Sequence, residues 1–205
     1  IVLHYIDQAI VDIESVKKTN EEFEDSILRK LIKVNKKAAI VMVSDMLLAG
    51  VDTTASATTF ILYSLAKNPD KQQILREEIM KILPDKNSKL NHESMKNLPY
   101  LRAVIKETMR LHTVVTASAR MTTKDVVLCG HQIPANTHVA MPGFAVMSDP
   151  KQYPQPEKFI PERWLRENTE ASCPHAKTAH PFSYLPFGFG ARMCKFLILY
   201  YLKKI

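Results

Sequence analysis

The chain has 205 residues, 46% hydrophobic and 24% charged, which excludes a disordered or fibrous protein and describes a globular one of about one domain. Its formal net charge of +7 is modest; we read it as a solvated surface with no nucleic-acid partner. Three cysteines, Cys129, Cys173 and Cys194, lack CxxC spacing or a Cys/His cluster, which excludes a disulfide framework and a zinc site. The opening reads as a helix rather than a signal or transit segment, with apolar residues at 3–4 spacing (Ile6, Ile10, Ile13, Val16) up to about Lys17. A polar stretch from Thr19 to Asp25 leads into a short helix carrying Ile27, Leu28, Leu31, Ile32 and Val34. Ala38 to Ala66 contains no Lys or Arg and predicts the longest helix. Asp45, Asp52 and its threonines argue against a bilayer span, so we expect a long buried helix of a soluble fold.

Asn68-Pro69 closes that helix and opens the next, with Asn68 expected as cap and Pro69 in the first turn. The next helix places Ile74, Leu75, Ile79 and Ile82 on one face and stops at Pro84. A polar connection follows, then a helix from about Tyr100 to His112. Short strands are expected at Val126–Leu128, His131–Ile133 and Asn136–Met141. Pro142 to Pro186 holds eight prolines and reads as an ordered meander, because Phe144, Tyr153, Phe159, Trp164, Phe182 and Tyr184 need burial. The fold class is mainly α with a minor β component.

The most informative segment is Phe187-Gly188-Phe189-Gly190-Ala191-Arg192-Met193-Cys194. A lone thiolate suits axial ligation of haem iron. Gly190 allows a tight turn beside a flat ring, and Arg192 offers a permanent cation for a propionate. A second constellation, Ala49-Gly50-Val51-Asp52-Thr53-Thr54, puts a glycine inside the longest helix, at a cost of about 1 kcal/mol relative to alanine. There Thr53 can bond back to a carbonyl one turn earlier, and Asp52 beside it is an acid next to an alcohol. In Glu107-Thr108-Met109-Arg110, Glu107 and Arg110 share a helix face. Arg163, in Pro161-Glu162-Arg163-Trp164, is a candidate third member, with Trp164 as shield.

These four motifs, in this order, resemble the haem-thiolate monooxygenases, the cytochrome P450 family. The resemblance covers residues 1–195 as a partial domain, the C-terminal part of that fold: helices, small strands, meander and haem-binding loop. It implies haem b (iron protoporphyrin IX) with Cys194 as axial ligand to the iron. Arg192, Arg120, Phe187, Gly190, Ala49 and Gly50 would bind the cofactor. Asp52 and Thr53 would be catalytic, handling protons for oxygen activation. Glu107, Arg110 and Arg163 would brace the fold, and Leu48, Val115, Thr116 and Ala117 would face substrate. The implied reaction inserts one atom of O₂ into a hydrophobic substrate, a steroid, lipid or xenobiotic. Arg102 and Lys106, one helical turn apart, resemble the basic pair that meets an acidic ferredoxin in mitochondrial members. That implies the matrix side of the mitochondrial inner membrane, with peripheral membrane association. The alternative is an NADPH-dependent reductase at the endoplasmic reticulum.

Phe196 stands where the family has glycine, and residues 196–205 read as an aberrant tail. The family's N-terminal half is absent from the chain, so this fragment alone is expected to be inactive. One alternative is a non-catalytic remnant that binds partners only. Another, ranked last, is a hydrolase using Cys194 with His180 or His175.

Overall fold

Proline-free runs of helix formers make helix over Ile27–Val34 (α1) and Lys36–Lys67 (α2). In the computed structural model the described residues are 7–8, 10–11, 27–85, 87–88, 91, 97–165 and 180–194. Most of the helix expected before Lys17, along with Cys173, His175 and residues 196–205, lies outside them. The chain divides into two compact units, Ile1–Ala55 and Ser56–Ile205, and α2 runs through the division.

The expected burial of α2 is not what the structure shows. Leu48 is 68% and Val51 65% exposed, and Val41, Leu47 and Leu62 are exposed as well. These apolar residues fall on one broad side of the helix, so that side needs cover from a neighbour. Within the second unit the described residues cover it only near Ser64 and Leu65. By length and composition α2 would also suffice to cross a bilayer. Asp45 and Asp52 would then lie where an ionised carboxylate is costly.

In the second unit, α3 (Pro69–Ile82) and α4 (Pro99–Leu111) each begin with proline in the first turn. Asn68 corrects one expectation: it makes no side-chain cap for α3. Its Nδ2 instead donates to the Ser64 carbonyl at 2.7 Å, closing the last turn of α2. Ile74, expected on the buried face of α3, is exposed, while Leu75 is buried. The start of α4 is satisfied from outside: the Tyr100 and Leu101 N–H groups donate to the Glu78 carboxylate at 2.7 and 2.9 Å. A carboxylate there answers both the unpaired donors and the helix dipole.

Helix α4 buries Tyr100, Ala103, Val104, Glu107 and Thr108, the i, i+3, i+4, i+7 spacing of one helical face. Tyr100 and Val104 join Leu65, Leu75 and Phe159 in the core, with Ile61, Ile79 and Leu111 packed against them. Burying each large apolar side chain contributes about 1.5–3 kcal/mol. At the C-terminus of α4, His112 stacks on Phe60, ring centroids 4.9 Å apart.

Burial holds the His112 pKa below its ordinary value of 6.5. The folded chain therefore binds fewer protons there than the unfolded chain. Its contribution to stability is intact above 6.5 and is lost as pH falls below that value. Denaturation midpoints at neutral and mildly acidic pH should differ less for His112→Phe, which keeps the stack without the titration. An unchanged pH dependence would show that His112 is not its source.

Two antiparallel strand pairs follow. β1 (Ser118–Met121) pairs with β4 (His138–Met141), setting Arg120 opposite Val139. β2 (Val126–Leu128) pairs with β3 (His131–Ile133) across Cys129-Gly130, both at positive φ as a two-residue hairpin requires. β2 and β3 match expectation, and β4 begins two residues later than expected. Sequence reasoning missed β1, whose Ser-Ala-Arg-Met has no alternating pattern. A short helix α5 (Gly143–Met147) and a run of turns lead to a 3-10 turn at Pro161–Trp164. In this meander Tyr153 and Phe159 are buried, and Trp164 and Tyr184 are partly so. Phe144 and Phe182, also expected inside, are exposed.

Candidate functional site

The Cys194 loop lies at the end of the described chain in the second unit. Gly188 and Gly190 both have left-handed backbone, φ 72 and 75. The Cys194 N–H donates to the Phe187 carbonyl at 2.9 Å, tying the two ends of the motif together. A 3-10 turn, Gly190–Arg192, lies between, with Met193 N–H bonded to the Gly190 carbonyl. The thiol of Cys194 is free and half-buried, Phe187 is half-buried, and Arg192 is exposed. Sequence reasoning singled out Gly190 and missed Gly188, which turns the loop equally.

This loop fits a haem. Its backbone satisfies itself internally, which leaves the sulfur available. A Cβ built on Gly190 would meet nothing within 4 Å, so the space beside the turn is open. Gly190→Ala should then cost about 1–2 kcal/mol through backbone strain alone. Thermal denaturation would detect that cost; no change would mean the loop does not hold the left-handed turn.

Arg120 is exposed on β1, its Nη1 donating to the Ala119 carbonyl at 2.7 Å. Val115, Thr116 and Ala117 are exposed on the segment before β1, and the Thr116 carbonyl accepts from Phe144 N–H at 3.4 Å. In the first unit, Leu48, Ala49, Asp52 and Thr53 are exposed and Gly50 is half-buried. The helix is continuous through Gly50, and Thr53 Oγ1 donates to the Ala49 carbonyl at 2.7 Å.

The structure brings Glu107, Arg110 and Arg163 together, all buried. Arg110 lies alongside Glu107 through Nε to Oε2 at 3.0 Å and Nη2 to Oε1 at 2.9 Å. Arg163 Nε reaches Glu107 Oε1 at 3.2 Å. Two further donors were not foreseen: Ile160 N–H at 3.1 Å and Trp164 Nε1 at 2.9 Å. Trp164 was expected only to shield the cluster, yet it donates to it. Arg110 also donates to the carbonyls of Met147, Pro156 and Lys158, and Arg163 to that of Gln155. The Arg110 guanidinium lies 5.2 Å from the centroid of the Tyr153 ring.

A neighbouring cluster left no signal in the sequence. Glu162 Oε1 accepts from Lys71 Nζ at 3.0 Å and from the Tyr100 hydroxyl at 2.8 Å. Burial opposes the Lys71 charge, but Glu162 and Asp70 outweigh it and raise its pKa above 10.5. Burial first, then Glu162, pushes the Tyr100 hydroxyl well above its ordinary range.

Arg102 and Lys106 are exposed on α4. Lys106 Nζ lies 5.5 Å above the Trp164 ring. His180 Nδ1 accepts from Phe182 N–H at 3.2 Å.

A family model described as Cytochrome P450 matches residues 3–195. The chain belongs to the cytochrome P450 family. It is 49% identical to a probable cytochrome P450 12a5, mitochondrial, of Drosophila melanogaster, covering 95% of this chain and 38% of that protein. It is 48% identical to cytochrome P450 CYP12A2 of Musca domestica, over 93% of this chain and 37% of the relative. Cytochrome P450 12b1, mitochondrial, of Drosophila acanthoptera is 45% identical, with 93% and 36% covered. The chain thus spans just over a third of the length of these P450 relatives. Membership implies a haem cofactor, and the mainly helical fold with small sheets is the one the family predicts.

Proposed function

We propose that the full-length protein carrying this chain is a haem-thiolate monooxygenase acting on a hydrophobic substrate. The observation that supports this most is the Cys194 loop, turned by two left-handed glycines with its sulfur unengaged, in a chain matched to the P450 family almost end to end. Haem b, when held there, would supply the oxygen chemistry: with two electrons from a reduced redox partner and two protons, one atom of O₂ would enter the substrate and the other would leave as water.

The chain's own residues have separable tasks. Cys194 provides the thiolate. Arg192 and Arg120 supply permanent cations to the propionates. Phe187 and Gly190 shape the loop, and Ala49 and Gly50 line the oxygen pocket. Thr53 spends its proton on the Ala49 carbonyl, so its oxygen is free to accept a hydrogen bond. With Asp52 next to it, an exposed carboxyl, the pair can hold and pass protons. Leu48, Val115, Thr116 and Ala117 face a steroid, lipid or xenobiotic. Glu107, Arg110 and Arg163 hold the scaffold.

The relatives' names favour a mitochondrial protein, bound peripherally on the matrix side of the inner membrane. Arg102 and Lys106 then steer an acidic ferredoxin, an attraction that salt should weaken. Residues 196–205 replace the family's continuation. Comparing genomic DNA with a transcript would reveal a splice site after the Cys194 codon or rule one out.

Expression of the complete reading frame with haem supplied tests the assignment. The reduced protein should show the thiolate-type shifted Soret band with carbon monoxide, and a colourless folded product would overturn the reading. The 205-residue chain alone should yield no stable haem protein, because the apolar surface of α2 is left uncovered. A folded, haem-loaded fragment would refute that part.

A further inference from the structure

Lys106 is an exposed cation on α4, yet the meander holds both of its ends. Its carbonyl accepts from the Tyr184 hydroxyl at 3.2 Å. Its Nζ lies 5.5 Å from the centroid of the Trp164 ring. The two holding residues also pack on each other, with ring centroids 4.7 Å apart. The indole is anchored in turn, because its Nε1 donates to the buried Glu107 carboxylate at 2.9 Å. Arg110 and Arg163 fix that carboxylate. A chain of contacts therefore runs from the buried scaffold out to one surface charge.

An exposed lysine ordinarily samples many rotamers and gives up that freedom when a partner fixes it. An ammonium resting on an indole face has given up part of it beforehand. The Glu107 cluster does not need Lys106, since its carboxylate is already supplied with donors from four other residues. Among the described residues Lys106 forms no ion pair with a carboxylate, so its charge is held in place without being neutralised. A fixed, unpaired surface cation suits a protein partner that brings an acidic group to one defined spot.

We propose that Trp164 is a positioning residue for partner recognition: its ring holds the Lys106 ammonium in the orientation in which an acidic redox protein meets it, while Tyr184 fixes the backbone of the same lysine. This rests on the reading that Lys106 meets an acidic ferredoxin. It adds that the aromatic pair beside the Glu107 cluster sets the geometry of that contact.

Titration of the full-length haem protein with an acidic two-iron ferredoxin, at several salt concentrations, tests it. Lys106→Met should weaken binding about two- to fivefold, the range of an exposed ion pair, and flatten its salt dependence. Trp164→Leu should weaken it about twofold, the low end for an exposed cation–π contact, with the salt dependence kept because the charge is still present. Trp164→Phe should bind more nearly like the parent. Both replacements lose the N–H to Glu107, so the difference between them reads the ring face alone. In the Lys106→Met background Trp164→Leu should have no further effect, since it acts through that lysine. The inference is overturned if Trp164→Leu leaves binding unchanged, if leucine and phenylalanine weaken it equally, or if the leucine effect persists without Lys106. If Lys106→Met itself leaves binding unchanged, the ferredoxin reading of Lys106 falls with it. Should Trp164→Leu not fold, limited acylation of the parent decides. Lys106, held against the indole, should then react more slowly than exposed Lys151, and equal rates would overturn the inference.

Discussion

Glu107→Ala is expected to lower the stability of the folded protein by about 3–5 kcal/mol, the usual cost of breaking a buried ion pair from one side. The carboxylate receives donors from Arg110, Arg163, Ile160 and Trp164. Removing it leaves two buried guanidinium groups without a counter-charge and orphans the indole and the Ile160 N–H. It also loosens the tie between α4 and the meander turn at Pro161–Trp164. With typical domain stability of about 5–15 kcal/mol, this is enough to leave little folded protein. Glu107→Gln, which keeps the shape but loses the charge, should fall between parent and alanine. Soluble yield and denaturant midpoints check this; a loss below about 1 kcal/mol, the scale of an exposed pair, would show that the cluster does not bear on stability.

Cys194→Ser should remove the thiolate-type spectrum of the full-length protein and abolish oxygenation. The loss should exceed the roughly 10–100-fold effect of altering an outer-shell partner of a metal ligand. The fold should survive, because the bond from residue 194 to the Phe187 carbonyl comes from the backbone. Circular dichroism should therefore match the parent while the optical spectrum changes. An unaltered spectrum would mean that another group holds the iron.

Much of the fold was legible because the relevant signals are local. Helical periodicity and first-turn prolines gave α3 and α4 to within a residue or two. The positive-φ turn at Cys129-Gly130 agrees with two short apolar runs separated by two residues. β1 was not legible, since its four residues have no alternation and form a strand only by pairing with β4. Apolarity announced α2 as a helix but misled about its burial, because composition does not say which neighbours supply cover.

By itself the sequence determined the family, through the order and spacing of four motifs, and with it the residues expected to hold haem. Only the tertiary structure decided what those residues touch. It moved Trp164 from shield to donor, turned Asn68 from cap to helix closure, and tied Lys71, Tyr100 and Glu162 into one cluster. The physical reason is range: a turn or a helical face is written in adjacent residues. A buried carboxylate is shared among groups more than fifty positions apart, as the Glu107 to Arg163 bond is, and only folding brings them together.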